Sequence, residues 1–120
     1  MIREILVVDD SKTELLFLSK LLTRNGYHVR TAENAEQAWL ALQDQLPDLI
    51  LMDVVMPGGN GFQLTRNIAR HPAYSRVPVF ICSSKSQETD RVWGLRQGAK
   101  DYITKPVDAQ LLLSKIESMA

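Results

Sequence analysis

Cysteine is nearly missing: Cys82 is the only one in 120 residues. No internal disulfide can form, and a chain of this kind suits a reducing compartment. Charge bias is missing as well. Lys plus Arg and Asp plus Glu each number 14, so the formal charge is zero, without the basic excess of a nucleic-acid binder. No apolar run approaches the roughly 20 residues needed to cross a bilayer. The opening Met1-Ile2-Arg3-Glu4 leads into a four-residue apolar run, too short for the h-region of a signal peptide. The two histidines, His28 and His71, show no metal-ligand spacing. A glycine-rich phosphate loop is also lacking, because the first apolar run leads straight to Asp9-Asp10-Ser11-Lys12; this argues against a dinucleotide binder. There is no internal repeat, low-complexity segment or interdomain linker. These absences leave one cytoplasmic domain, 1–120, with no nucleic-acid partner and no membrane insertion.

What is there is alternation. Short apolar runs read as strands over Ile5–Val8, His28–Ala32, Leu49–Met52, Val79–Cys82 and Tyr102–Thr104. Amphipathic stretches separate them. Leu15, Leu18 and Leu22 form one helical stripe, and Ala35, Ala38, Trp39 and Leu42 a second. Further helices are expected over Gly61–Arg70, Thr89–Gln97 and Ala109–Met119, the last with Leu112, Ile116 and Met119 on one stripe. Ser11-Lys12-Thr13-Glu14 has the form of a capping box. Asn25-Gly26 fits a left-handed helix end, and Gly98 ends the fourth helix. Pro57-Gly58-Gly59-Asn60-Gly61 predicts a loop, and Pro78 opens a strand where its missing N–H does least harm. Five repeats of strand and helix predict a (βα)5 unit with right-handed crossovers. The first, third and fourth runs are apolar without alternation, as in strands covered on both faces.

Reactive residues sit at the ends of these runs. The first ends at Asp9 and Asp10, the third at Asp53, the fourth at Ser83 and the fifth at Lys105-Pro106. In an open parallel sheet the carboxyl ends of the strands share one edge, where such folds build their sites. Taken singly, each has a plain reading: Asp10 or Ser11 as a helix N-cap, Asp53 and Lys105 as solvated loop residues, Ser83 as a strand terminator. Taken together they point to phosphoryl chemistry. Three crowded carboxylates raise one another's pKa values. Mg²⁺, a hard ion that takes oxygen ligands, relieves that repulsion, with Mn²⁺ as the alternative. Lys105 and the cation could then neutralise a phosphoryl group, and Asp53 is a carboxylate of the kind that forms an aspartyl phosphate.

In order and spacing, Asp9-Asp10, Asp53-Val54-Val55-Met56-Pro57-Gly58-Gly59-Asn60-Gly61, Ser83 and Lys105-Pro106 resemble the receiver domains of two-component response regulators, over essentially the whole chain. The resemblance implies a flavodoxin-like, doubly wound parallel sheet with strand order 2-1-3-4-5. It implies a phosphorylation-activated single-domain regulator in which Asp53 accepts a phosphoryl group from a sensor histidine kinase, of chemotaxis type or hybrid. Asp10, Asp53 and the backbone carbonyl of Val55 would ligate Mg²⁺, with Asp9 acting through water. Lys105 and Ser83 would contact the phosphoryl group. A cis peptide before Pro106 would aim the lysine inward, which is plausible because X-Pro bonds alone adopt cis cheaply. Ser83 and Tyr102 would form the switch. The face of the fourth helix, fifth strand and fifth helix, with Trp93 and Tyr102, would meet a downstream protein. A monomer, or a weak dimer when phosphorylated, is expected.

Lys85-Ser86-Gln87-Glu88-Thr89-Asp90-Arg91-Val92-Trp93-Gly94, then Arg96-Gln97-Gly98-Ala99, resembles the regulators of type IV pilus twitching motility, with chemotaxis regulators of flagella next. No output domain is expected, so the protein would bind another protein or drain phosphoryl groups from a shared kinase. It would not turn over an external substrate. A receiver cut from a hybrid kinase or transcription regulator is the alternative. A dehalogenase-like, Mg²⁺-dependent phosphohydrolase is remote, because it needs a second Asp two residues after the first, and Ser11 stands there. Ser84 departs from the family's usual alanine or glycine, and Ser84, Lys85 and Val55 would flank the phosphoryl group. Trp93 reads either as half-buried packing or as an exposed anchor. Cys82 reads as a small buried strand residue and Trp39 as core or rim of the second helix.

Overall fold

In the computed structural model, residues 1–56 and 61–119 are described; of the loop expected over 57–61, residues 57–60 lie outside them and Gly61 opens a helix. The chain alternates strictly: β1 (Glu4–Val8), α1 (Lys12–Arg24), β2 (His28–Ala32), α2 (Ala35–Asp44), β3 (Leu49–Met52), α3 (Gly61–Arg70), β4 (Val79–Ser83), α4 (Glu88–Arg96), β5 (Asp101–Thr104) and α5 (Ala109–Glu117). All strand pairings are parallel, and the order is β2-β1-β3-β4-β5. The flavodoxin-like α/β fold expected from the sequence is therefore the fold observed.

Strand geometry explains the unbroken apolar runs. Successive side chains leave a strand on opposite faces. Ile5 and Val7 join Leu15, Leu18, Leu22, Leu112 and Ile116 in a core under α1 and α5. Leu6 and Val8 join Ala38, Leu42, Leu64 and Ile68 in a second core under α2 and α3. A smaller cluster of Val54, Ile81, Ala99 and Tyr102 lies near α4. Cys82 is buried, as expected. Trp39 is a rim residue of the second core, its ring 5.9 Å from Tyr74 and 6.0 Å from His71.

The boundaries differ from the apolar reading by one or two residues, because ladder pairing, not apolarity, ends a strand. Glu4 pairs with His28, Ser83 with Thr104 and Phe80 with Asp101. Asp101 is charged, yet its Oδ2 meets the Lys115 ammonium at 2.6 Å on α5. At α4 the helix starts one residue early, where the Asp90 carboxylate accepts from the Gln87 N–H. The expected capping box on α1 is only half made. Ser11 Oγ accepts from the Glu14 N–H, but the Ser11 N–H donates to Asp9 Oδ1. Gly26 and Gly98 both have positive φ, 93° and 107°, the left-handed turn that glycine adopts without strain.

One carboxylate outside the site ties two strand starts together. Asp48 Oδ2 accepts from the N–H groups of Arg3 (2.9 Å) and Glu4 (3.0 Å), and the Asp48 N–H donates to Glu4 O at 2.8 Å. The Glu4 N–H, opposed by burial and helped by the Arg3 N–H, holds this carboxyl below its ordinary value. A lowered carboxylate adds stability above its unfolded pKa of about 4, and that stability disappears as pH falls through the folded value. Asp48→Ala is expected to cost about 1 kcal/mol at neutral pH, since the bonds are partly solvated. Urea unfolding should show the deficit closing below about pH 4; a deficit of the same size at both pH values would remove the carboxylate from the explanation.

Candidate functional site

The carboxyl ends of β1, β3, β4 and β5 bring the expected residues to one edge. Asp9 follows β1, with its N–H on Ala32 O, and is 2% exposed. Asp53 follows β3, with its N–H on Val8 O, and is also buried. Asp10 lies beside them, exposed. One carboxylate oxygen from each of Asp9, Asp10 and Asp53 lies within 4.8 Å of the others. An all-oxygen, three-carboxylate donor set of that size suits a hard divalent cation rather than a soft one.

Lys105 reaches across from the end of β5. Its Nζ donates to Asp9 Oδ2 at 2.7 Å and stands 3.6 Å from Asp53 Oδ2. The Lys105 N–H donates to Ser83 O, which fixes the lysine's backbone to the end of β4, and the Lys105-Pro106 peptide is cis. Burial lowers the affinity of Lys105 for its proton, but the Asp9 hydrogen bond and the Asp53 charge outweigh it, so the ammonium titrates above the ordinary lysine value. Asp53 also titrates above its ordinary value, which for a carboxylate means that the charged form is disfavoured. Burial pushes its carboxyl up, the Val55 N–H and Lys105 pull it down, and Asp9 adds to the rise; the net is upward. Burial, more than repulsion from Asp9, is what disfavours the charged form of Asp53 here.

The remaining residues divide. The Val55 N–H donates to Asp53 Oδ1 at 3.2 Å, fixing that carboxylate's plane. Ser83 is fully buried, and its Oγ accepts from the Lys85 N–H at 3.2 Å. Ser84 and Lys85 are exposed beside it. Trp93 is 49% exposed on α4, half against the fold and half in solvent, which is compatible with both readings. Tyr102 corrects an expectation: rather than offering its ring on that face, it is 4% exposed, with its hydroxyl donating to Lys85 O at 2.6 Å. Packing of the ring beside Ile81 draws it in. His28 and His71 are exposed, and the His71 Nδ1 accepts from the Ala73 N–H.

Sequence reasoning placed Gly61 in the loop motif and at the start of the third helix but gave it no role of its own. A Cβ there would lie 2.1 Å from Asp53 O and 2.7 Å from Val54 Cα. The start of α3 therefore rests on the backbone that carries Asp53, with the Gly61 N–H on Val54 O. Its signal was a glycine opening a helix a few residues beyond the acidic strand end. Gly61→Ala is expected to push Asp53 out of register with Asp9 and destabilise the fold by about 1–3 kcal/mol. Thermal unfolding measures the effect; a wild-type midpoint would show that α3 simply moves aside.

Among the described residues, no helix is long and apolar enough to cross a membrane. Over 115 residues the chain is 49% identical to protein PilH of Pseudomonas aeruginosa, covering 96% of this chain and 95% of that protein. It is 37% identical over 119 residues to the phosphate regulon transcriptional regulatory protein PhoB of Escherichia coli, of which it spans about half, 52%. Its structure is similar to that of the chemotaxis protein CheY4 of Vibrio cholerae, with TM-score 0.91, 26% identity and 100% of each chain covered. Residues 5–117 match the family described as the response regulator receiver domain. With the strand order, the acidic edge and that match in agreement, the chain belongs to the response regulator receiver domain family, the signalling modules of two-component systems.

Proposed function

We propose that Asp53 accepts a phosphoryl group from a sensor histidine kinase and that the phosphorylated protein signals by engaging a protein partner or by draining phosphoryl groups from that kinase. The observation that carries this reading is the convergence of Asp9, Asp10, Asp53 and Lys105 on one strand-end edge. An Asp53 oxygen attacks phosphorus, an O–P bond forms, the P–N bond to the donor imidazole breaks, and its electron pair leaves with the nitrogen. The Val55 N–H holds the attacking carboxylate in place, and Lys105 sets a fixed positive charge beside the transferring oxygens.

Asp10, Asp53 and the Val55 carbonyl, with Asp9 through water, are the groups that would hold Mg²⁺ or Mn²⁺. Bound there, the cation supplies positive charge against the phosphoryl oxygens. Ser83 and Tyr102 form the switch: the modified site binds the Ser83 hydroxyl and Lys105 better in the active state, and only that difference can shift the population. Identity with PilH supports a place in twitching-type or chemotaxis-type motility signalling. The protein catalyses its own modification and hydrolysis and turns over no external substrate. A monomer, or a weak dimer once phosphorylated, completes the reading.

Incubation with acetyl phosphate and Mg²⁺, followed by intact-mass spectrometry, tests the core of it. One hydroxylamine-labile phosphoryl adduct is expected, lost when EDTA replaces the metal. No adduct on folded protein from either acetyl phosphate or a phosphorylated kinase would end the proposal.

A further inference from the structure

Among the described residues of α4, Gly94 alone is buried. Val92, Trp93 and Leu95 are 40%, 49% and 38% exposed, so the helix does not hold itself down by the usual apolar stripe. It touches the sheet through bare backbone. A Cβ built on Gly94 would lie 2.8 Å from Ile81 Cδ1, 2.9 Å from Tyr102 Cδ2 and 3.1 Å from Tyr102 Cε2. Carbon atoms pack best at about 3.5–4.0 Å. The Ile81 methyl is the end of a flexible side chain and can turn away. The Tyr102 ring is rigid, and on its far side its hydroxyl is tied to Lys85 O at 2.6 Å.

Glycine in a helix interior is also a poor choice on local grounds, where alanine would strengthen the helix. A local rule broken in the middle of an element marks a place where another requirement wins. Here that requirement is room for the ring.

We propose that Gly94 is a positioning residue for Tyr102: the side-chain-free backbone of α4 forms the wall of the ring's inward slot, so Tyr102 stays inward only while α4 lies at glycine contact distance. The position of the helix and the direction of the ring are then one variable. A partner that shifts α4 changes the ring, and the ring changes what lies beside Ser83. The switching consequence rests on the reading of Tyr102 and Ser83 given above; the positioning itself does not.

Tyrosine-labelled NMR of wild type and Gly94→Ala, with Tyr102 assigned through Tyr102→Phe, tests this with a soluble paramagnetic probe present. In Gly94→Ala the Tyr102 ring signals should become exposed to the probe, and amide exchange in α4 should quicken by about tenfold, against the slowing that alanine's helix propensity alone predicts. In Gly94→Ala/Tyr102→Ala, compared with Tyr102→Ala, the alanine should slow exchange, because no ring is left to meet. This pair also decides the matter if the single variant fails to fold. Unchanged Tyr102 signals with slower α4 exchange in Gly94→Ala, or faster exchange in the ring-free pair, would overturn the proposal. Intact-mass phosphorylation runs alongside. Its failure in wild type removes the Asp53 reading, while the ring signals still decide the role of Gly94.

Discussion

Asp53→Asn protein should stay unmodified by acetyl phosphate and Mg²⁺ under conditions that modify the wild type, with uptake down by at least about a hundredfold, as expected when a covalent nucleophile is removed. The substitution is close to isosteric. The Asn Oδ1 can still accept from the Val55 N–H, and Lys105 keeps its bond to Asp9, so loss of uptake would not come from a collapsed site. The same variant makes a second prediction with a definite sign. In metal-free protein the Asp53 carboxyl titrates above its ordinary value, with burial as the main cause. The folded state therefore binds more protons than the unfolded state between those two values, and stability falls as pH rises through that window. Asp53→Asn lacks this loss. In EDTA it should gain on the wild type as pH rises above the ordinary carboxylate value of about 4. Saturating Mg²⁺ should favour the wild type, because a ligand that binds the folded state stabilises it by mass action. Urea unfolding at several pH values measures both effects. A stability difference independent of pH and metal would mean that Asp53 carries no unrelieved charge.

Lys105→Met should be the most destabilising change at the acidic edge in metal-free protein. Its ammonium is within 2.7 Å of Asp9 and 3.6 Å of Asp53. Removing it leaves two buried carboxylates with no cation within contact distance among the described residues. Breaking a fully buried pair costs about 3–5 kcal/mol, and a loss nearer about 2 kcal/mol is expected here because the lysine end keeps some water. Acid should shrink the deficit, since protonating Asp53 removes the uncompensated charge. Mg²⁺ should shrink it too, by supplying the missing positive charge. Phosphoryl uptake should still slow by about tenfold to a hundredfold, because the lysine's charge is fixed beside the transferring oxygens. A variant as stable as wild type in EDTA would show that the Asp9–Lys105 bond is not worth its desolvation.

Both predictions turn on residues legible in the sequence, and for a definable reason. Asp9, Asp53, Ser83 and Lys105 each end an apolar run, and parallel strands carry their ends to one edge whatever the details of packing. Helix faces were legible on the same basis: Leu15, Leu18 and Leu22 share a stripe because helical periodicity is local. The half-made capping box was not legible. Ser11 and Glu14 satisfied the local pattern, but the Ser11 N–H was taken by Asp9, a competition visible only with the atoms in place. The close approaches at Gly61 and Gly94 were not legible, because they involve neighbours distant along the chain, Asp53 for one and Tyr102 for the other.

The amino-acid order by itself determined the element sequence, the doubly covered sheet and the identity of the charged edge, since period and strand-end position are properties of a short window. Only the tertiary structure decided which oxygen Lys105 holds, which way the Tyr102 ring points, and how near α4 and α3 approach the sheet. Those depend on distances between elements many residues apart, where a change of one ångström separates a contact from a clash.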